Sequence, residues 1–317
     1  MKWKKLGKIF DPTEHKLHNN CEAFAQSPQA LLFDDFVRIY FSTREKDAQT
    51  GKFLSHVSYV DMNKRFDRII KVADHTVIDL GKLGSFDEHG IFPINILRYN
   101  NKIWAYTCGW SRRVSVSVET STGFAISDDD GATFRKIGEG PVMSSSLHEP
   151  FLVGDSFVRR FEGIFHMWYI YGIKWIINEQ EAAARVYKIG HAVSSDGISW
   201  QKEGRQIVDD RLNVEECQAL PTVVYEKGKY HMFFCYREAI GFRENKDKGY
   251  RIGYAYSSDL VNWVRDDANG GIDVSENDWD SDMMCYPNVF HCDGKLYMLY
   301  NGNEFGRYGF GLAVCEA

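Results

Sequence analysis

The chain has 317 residues, of which 44% are apolar and 26% are charged, a composition typical of a globular protein with a full hydrophobic core. Its net charge of −6 comes from acidic and basic residues that are mixed along the sequence, which argues against a nucleic-acid partner. No stretch reaches the roughly 18 apolar residues of a membrane span, and residues 1–10 lack the apolar region of a signal peptide. These features predict a cytoplasmic protein that binds neither nucleic acid nor membranes.

The sequence starts with a short strand-like segment, Trp3–Ile9. Its residues, Trp-Lys-Lys-Leu-Gly-Lys-Ile, match the segment Phe-Arg-Lys-Ile-Gly-Glu-Gly that starts at Phe134. The two segments therefore predict equivalent strands in two copies of one repeat.

The first half of each repeat is a hairpin opened by proline or a small residue. The openers are Pro28, Pro93, Ser156, Pro221 and Pro287, so successive copies begin 65, 63, 65 and 66 residues apart. Each opener starts an apolar strand, which is followed by a tight turn such as Lys-Gly-Lys or Asp-Gly-Lys and by a second strand rich in aromatic residues. Glycine turns between alternating strands are typical of hairpins.

The second half of the repeat is a strand, a Ser-Asp turn and an aromatic residue. The clearest copies are Gly190–Trp200 and Gly253–Trp263, with a looser copy at Gly123–Phe134 and a degenerate one that ends at Phe66. Each period therefore holds four strands, and four-stranded units at this spacing are typical of propeller blades.

The repeats predict an all-β protein, a five-bladed β-propeller with four-stranded antiparallel blades. The last copy ends at its third strand, 311–317, and we expect the N-terminal segment to supply the fourth, so that no sheet edge stays open. The whole chain, 1–317, forms one domain in this interpretation. Its blades span approximately 20–75, 85–142, 147–208, 214–268, and 279–317 together with 1–10. Helix is nearly absent, apart from one turn expected at 179–184.

An acid precedes every strand opener by six or seven positions. These acids are Glu22, Asp87, Glu149, Glu215 and Asp280, and Glu88, Glu216 and Asp282 lie beside them. The link into each inner strand is expected on the same face of the propeller as the central funnel. Carboxylates crowded there would raise one another's pKa values and supply acid/base partners. The alternative is that each acid caps a turn or lies in solvent.

A second set of candidates lies where the second strands end. One slot holds Arg44, Trp110, Gly172, Arg237 and Asn303 in blade order. Among the histidines, His89 and His148 lie beside the acids, whereas His166 and His231 share a mid-strand position that indicates packing.

The Ser-Asp-Gly-x-x-Trp turn, the Gly-Lys-Tyr-x-Met-Phe-Phe strand and the fivefold count resemble the five-bladed propeller glycosidases, glycoside hydrolase families 43, 32, 117 and 130. Family 43 implies three funnel carboxylates. Its Asp-Pro strand opening has no counterpart at Ser27-Pro28, and the nearest match is Asp155-Ser156. Family 130 implies phosphorylases that hold phosphate with basic residues, a task that Arg44 and Arg237 would suit.

Two functions follow as hypotheses. The first is an enzyme that cleaves a glycosidic bond by hydrolysis or phosphorolysis, with Glu149 as the acid and with Asp87 and Asp280 as base and orienting acid. The expected substrate-binding residues are Arg44, Arg237, Trp110, Glu22, Glu216, His89, Asn303 and Tyr286. The second is a sugar-binding protein of polysaccharide assembly that performs no hydrolysis. A protein-interaction propeller of the WD40 type is a weaker alternative, because the repeat is longer and lacks Trp-Asp endings.

The expected ligand is a carbohydrate, with an anionic sugar or phosphate as a further candidate. The seven scattered cysteines include no Cys-x-x-Cys pair, so neither a zinc site nor a disulfide framework is predicted. No cofactor is expected. Calcium on the propeller axis is an open alternative, although no dense loop of oxygen ligands is evident.

Overall fold

The computed structural model describes residues 1–178 and 182–316, which form 20 β-strands and four short 3-10 helices. The all-β prediction is therefore confirmed. Of the helical turn expected at 179–184, residues 179–181 lie outside the described part of the chain, while Ala183 and Ala184 belong to a strand.

The strands form antiparallel groups of four, in chain order. The first group contains β2 to β5, at Ala23–Leu32, Phe36–Lys46, Phe53–Asn63 and Ile69–Val72. The second contains β6 to β9, at Gly90–Tyr99, Lys102–Arg112, Val118–Ser127 and Arg135–Lys136. These two groups are joined by one parallel bridge between Ser55 and Gly90 into an eight-stranded sheet.

The remaining groups are separate four-stranded sheets. One contains β10 to β13, at Val153–Phe161, Ile164–Ile177, Ala183–Ser194 and Gln201–Lys202. Another contains β14 to β17, at Cys217–Glu226, Lys229–Arg237, Arg251–Ser257 and Val264–Arg265. The last contains β18 to β20, at Cys285–Cys292, Lys295–Asn301 and Phe310–Cys315, together with β1 at Trp3–Phe10.

The N-terminal strand β1 is the outer strand of the last sheet. It pairs antiparallel with β20 from Trp3 opposite Cys315 to Phe10 opposite Phe310, with two irregularities in register. The indole of Trp3 packs edge-on against Phe233, with ring centroids 5.4 Å apart. The strand is therefore held both by the backbone ladder and by the neighbouring sheet.

The Ser-Asp repeats are turns that bind their own backbone. In the third group, the Asp196 carboxylate accepts hydrogen bonds from the backbone N–H groups of Ile198 and Ser199, each at 2.8 Å, and from the Ser194 hydroxyl. These backbone donors hold the pKa of Asp196 well below its usual range. Asp259 makes the same contacts in the fourth group. This motif is part of the scaffold.

Every first strand contains an irregularity in register at the residue before the opener. The residues at this position are Ser27, Phe92, Asp155, Leu220 and Tyr286. Four of them have φ between 49° and 59°, and Phe92 precedes a cis proline. A bulge of this kind turns a side chain away from the plane of its sheet.

Buried polar side chains link the first strands of neighbouring groups. The Gln29 side-chain oxygen accepts hydrogen bonds from the amide groups of Asn95 at 3.2 Å and Asn288 at 3.1 Å. The Asn95 oxygen in turn accepts from the backbone N–H of Val158 at 2.9 Å. These bonds satisfy buried polar groups and hold the first strands side by side around a central region.

Candidate functional site

A cavity of about 440 Å³ lies among the first strands and the loops that join second and third strands. This volume is within the range of small-molecule sites. Aromatic side chains form much of its wall: Phe24, Phe92, Trp110, Tyr187, Phe242, Tyr250, Tyr286 and Phe305. Its charged lining consists of four arginines, Arg44, Arg185, Arg237 and Arg243, and one carboxyl group, Asp155.

Asp155 occupies the bulge position of β10, with a φ of 50°. Its side chain is 8% exposed. Burial raises the pKa of Asp155 to about 7, against the opposing effects of the Arg185 charge and of hydrogen bonds with the Leu220 backbone and Cys108. A carboxyl group with this pKa carries a proton for much of the time near neutral pH, so it can serve as a general acid.

Arg237 ends strand β15 and is 4% exposed. Its Nη1 donates to the carbonyl oxygens of Glu238 at 2.6 Å and Ala239 at 3.3 Å, and its Nη2 donates to the Tyr187 hydroxyl at 2.9 Å. The guanidinium also lies 3.6 Å from the ring centroid of Phe242. Its Nε is buried without a hydrogen-bond partner among the described residues. A buried donor without a partner is costly, so an acceptor bound to this atom would be stabilising.

Arg44 lies near the end of β3, where its Nε donates to the Gln26 side-chain oxygen at 2.8 Å. Its guanidinium lies 5.3 Å from the ring centroid of Phe24. Burial lowers the pKa of Arg44, and the positive charges of Arg243 and Arg185 lower it further. The guanidinium groups are therefore close enough to repel one another.

None of the four cavity arginines forms an ion pair with a carboxylate in the described part of the chain. By contrast, Arg38, outside the cavity, binds Asp61 through two hydrogen bonds at 2.7 and 2.8 Å. Unpaired positive charge in a partly buried cavity favours an anionic ligand. The site therefore combines an anion-binding lining with one proton donor.

The aromatic wall is continuous on one side of the cavity. Tyr286, at the bulge of β18, contacts Phe92 and Tyr250 edge-on, with ring centroids 5.4 and 5.7 Å apart. Trp110 lies on another side and stacks against His89 at 5.9 Å. Such flat apolar surfaces with a few polar groups are typical of ligand sites.

The structure places the three expected catalytic acids outside this cavity. Each is buried and forms an ion pair with a basic residue on the outermost strand of its own group. The pairs are Asp87 with Lys136, Glu149 with Lys202 at 2.5 Å, and Asp280 with Lys5 at 2.7 Å. None of the three lines the cavity, because the link into each first strand turns its acid toward the outer strand of the same group.

The other expected binding residues divide between the cavity and its surroundings. Arg44, Arg237, Trp110 and Tyr286 line the cavity together. Glu216 is instead paired with Arg265 at 2.5 Å, and Asn303 binds the backbone N–H of Asp282 at 2.8 Å. Glu22 is exposed and His89 lies behind Trp110.

Sequence reasoning missed Arg185 and Arg243 as cavity residues. Arg185 lies in the extended hairpin of β11 and β12, opposite Trp175, and Arg243 lies in the long loop before β16. Neither occupies a position that recurs in the other repeats. The sequence signal that could have indicated them is the unusual length of the hairpin between β11 and β12 and of the loop between β15 and β16.

The described residues contain no cluster of three or more His, Cys, Asp or Glu side chains that could hold a metal ion. Among the same residues, no helix is long and apolar enough to span a membrane.

No family model matches the chain. Solved structures with a similar fold include a glycoside hydrolase, with a TM-score of 0.73 and 16% identity over 99% of this protein and 93% of that one. A thermostable family-43 glycoside hydrolase matches with a TM-score of 0.63 and 16% identity over 92% and 88% of the two proteins. A β-1,2-mannobiose phosphorylase from Listeria innocua, in complex with β-1,2-mannobiose, matches with a TM-score of 0.69 and 11% identity over 99% and 96%.

The fold is therefore the β-propeller of these glycosidases and phosphorylases, as the resemblance implied. In sequence, the chain is 34% identical over 316 residues to the uncharacterized protein Rv1502 of Mycobacterium tuberculosis, which it covers completely. It belongs to the same family as that protein. A more distant relative is a 1,2-β-oligomannan phosphorylase of Thermoanaerobacter, 27% identical over 140 residues, or 44% of this chain and 42% of the relative.

Proposed function

We propose that this protein is a glycoside phosphorylase that cleaves a glycosidic bond in its central cavity. The observation that supports this most is the charge of the lining, with one carboxyl group and four arginines. Hydrolysis by direct displacement needs two carboxyl groups, one as acid and one to activate water. Phosphorolysis needs only the acid, because phosphate is itself the nucleophile.

In the proposed reaction, Asp155 is the general acid. Its proton moves to the leaving oxygen as the bond from that oxygen to the anomeric carbon breaks, and a phosphate oxygen forms the new bond to the same carbon. The products are a sugar 1-phosphate and the leaving sugar with a free hydroxyl, and solvent returns a proton to Asp155. Arg44 and Arg237 hold the phosphate, and Trp110 and Tyr286 contact the sugar rings.

The relatives support this reaction class. A phosphorylase occurs both among the proteins similar in fold and among those similar in sequence. We also propose that the five groups of strands are the five blades of one closed propeller. The pairing of β1 with β20 supports closure by the N-terminal strand.

The test is a phosphate-dependent assay on a panel of disaccharides and aryl glycosides. We expect release of a sugar 1-phosphate that requires inorganic phosphate and falls at least about 100-fold in Asp155→Asn, the usual contribution of a general acid. Equal release of sugar without phosphate would contradict phosphorolysis and indicate hydrolysis. Tight sugar binding without turnover on any substrate would favour the second hypothesis, a sugar-binding protein of glycan assembly.

A further inference from the structure

The four arginines of the cavity carry more positive charge than one phosphate can neutralise. Phosphate bears between one and two negative charges near neutral pH, and Asp155 contributes little negative charge while it is protonated. The described residues offer no other carboxylate to the cavity. The attacking phosphate therefore leaves at least one guanidinium of the cavity without a compensating negative charge.

Among the cavity arginines, Arg185 has the strongest electrostatic effect on Asp155, the proposed acid. Its charge is the main one felt by Asp155, and it acts also on Cys108 beside that carboxyl group. Its guanidinium makes no hydrogen bond or ion pair within the described residues, and its nearest ring is Tyr187, with a centroid 5.9 Å away. Within that part of the protein it is an unpaired cation that lines the same cavity as Asp155 and whose charge acts on that carboxyl group.

The direction of the displacement places Arg185 on the side of the cavity that holds the leaving sugar. In an inverting displacement, the acid and the nucleophile act on opposite faces of the sugar ring. A cation beside the acid therefore meets the leaving sugar, whereas the attacking phosphate approaches from the other face.

Resting on the proposed function, we infer that the substrate is an acidic glycoside, whose leaving sugar carries a carboxylate or phosphate group that binds Arg185. Binding of this group also prepares the acid. A nearby positive charge favours the ionised carboxylate, and an anion on Arg185 would screen that charge, so substrate binding raises the pKa of Asp155 and keeps its proton in place. The other groups that face Asp155 are Cys108, Cys235 and Tyr286, which are neutral at physiological pH.

The first experiment measures binding without turnover, by calorimetry with Asp155→Asn to prevent cleavage. The probes are glucose, mannose and galactose, their uronic acids and their 6-phosphates, each with and without inorganic phosphate. We expect at least one acidic sugar to bind about tenfold or more tightly than its neutral parent. That preference should disappear in Arg185→Ala and persist in Arg135→Ala, which removes an exposed arginine on β9 outside the cavity.

Equal binding of acidic and neutral sugars, or a preference that survives Arg185→Ala, would overturn the inference. The proposed phosphorolysis is tested separately, because inorganic phosphate alone should bind to Arg185→Ala and lose affinity in Arg44→Ala. If Arg185→Ala and Arg44→Ala both bind phosphate as tightly as wild type, phosphorolysis is contradicted, and the preference for acidic sugars still stands.

The second experiment follows the Asp155 carboxyl directly by difference infrared titration of wild type against Asp155→Asn. In the free protein, Arg185→Ala should shift the titration of this group to higher pH. A saturating acidic sugar should produce a shift of the same sign in wild type but not in Arg185→Ala. A titration that neither the substitution nor the sugar moves would contradict the screening role.

Discussion

Asp155 and Glu149 are both buried carboxyl groups of the third strand group, but their surroundings differ. Glu149 accepts a hydrogen bond from the Tyr169 hydroxyl at 2.6 Å and pairs with Lys202, so its charge is compensated within the scaffold. Asp155 faces a cavity, and burial is the main influence on its pKa. The first arrangement stabilises a fold, and the second leaves a proton available to a ligand.

The pair of substitutions Glu149→Gln and Asp155→Asn should separate these roles. Removing one partner of a buried ion pair costs on the order of 3 kcal/mol, so Glu149→Gln should lower the melting temperature and leave activity per folded molecule nearly unchanged. Asp155→Asn should lower activity at least about 100-fold and leave the melting temperature nearly unchanged. Calorimetry and rate measurements on both proteins check this, and the reverse pattern would return Glu149 to the role of acid.

Arg44 tests the requirement for a guanidinium in the cavity. Arg44→Lys keeps the positive charge but loses the planar fork that binds phosphate through two parallel hydrogen bonds. We expect phosphate affinity to fall by about tenfold, the equivalent of one charged hydrogen bond. Titration calorimetry with inorganic phosphate measures this affinity in wild type and Arg44→Lys, with Arg135→Lys as the control. Unchanged affinity would show that charge alone suffices.

At the scale of elements, the paired strands β11 and β12 carry two neighbouring histidines, half-buried His166 and buried His191, that have no part in the cavity. The His166 Nδ1 lies 3.0 Å from the His191 Nε2, and both rings stack near Trp168. Burial, together with the neighbouring His191, lowers the pKa of His166 to about 4. The folded protein therefore favours the neutral form.

This predicts a stability change in acid. Between pH 6.5 and about 4, the unfolded polypeptide binds a proton at His166 that the folded protein does not, so the contribution of His166 to the free energy of unfolding should fall as pH falls through this window. Asp155, whose folded pKa is raised, acts in the opposite sense. Urea unfolding of wild type and His166→Gln at several pH values isolates the histidine, and the free energy of unfolding of wild type relative to the variant should decrease as pH falls from 6.5 to about 4. Identical slopes would exclude this contribution.

The elements also show what a repeat can and cannot predict. The hairpins, the Ser-Asp turns and the outer strand β1 follow from patterns that recur between copies of the repeat. The acids before each opener recur as well, and the structure shows why: Asp87, Glu149 and Asp280 hold outer strands in place. Asp155 lies at the position where other copies carry Ser27 or Leu220. A residue that differs from its equivalents in the other copies therefore indicated the candidate site better than the acids that recur in every copy. Its nearness to Arg185 depends on tertiary packing, which spacing in the sequence does not report.

At the scale of the whole molecule, the two ends of the chain depend on each other. Besides the ladder to β20, the backbone N–H of Trp3 donates to the Gly271 carbonyl at 3.2 Å, and Lys5 reaches the buried Asp280. Removing β1 would expose the edge of β20 and leave Asp280 without its cation.

Deletion of residues 1–10 should therefore destabilise the protein far more than an ordinary terminal trimming. We expect a large loss in melting temperature together with aggregation through the exposed strand edge. Lys5→Met, which keeps the strand but removes the charge, should lose only part of that stability. A truncated protein that melts at an unchanged temperature would contradict closure of the propeller by β1.

The proposed reaction requires that the cavity bind an anion and a sugar beside Asp155. A crystal structure of Asp155→Asn soaked with inorganic phosphate and the tightest-binding sugar would show both ligands in place. We expect phosphate within hydrogen-bond distance of Arg44 and of the Nε of Arg237, with the sugar against Trp110 and Tyr286. Phosphate and sugar bound elsewhere, with the cavity holding only solvent, would contradict it.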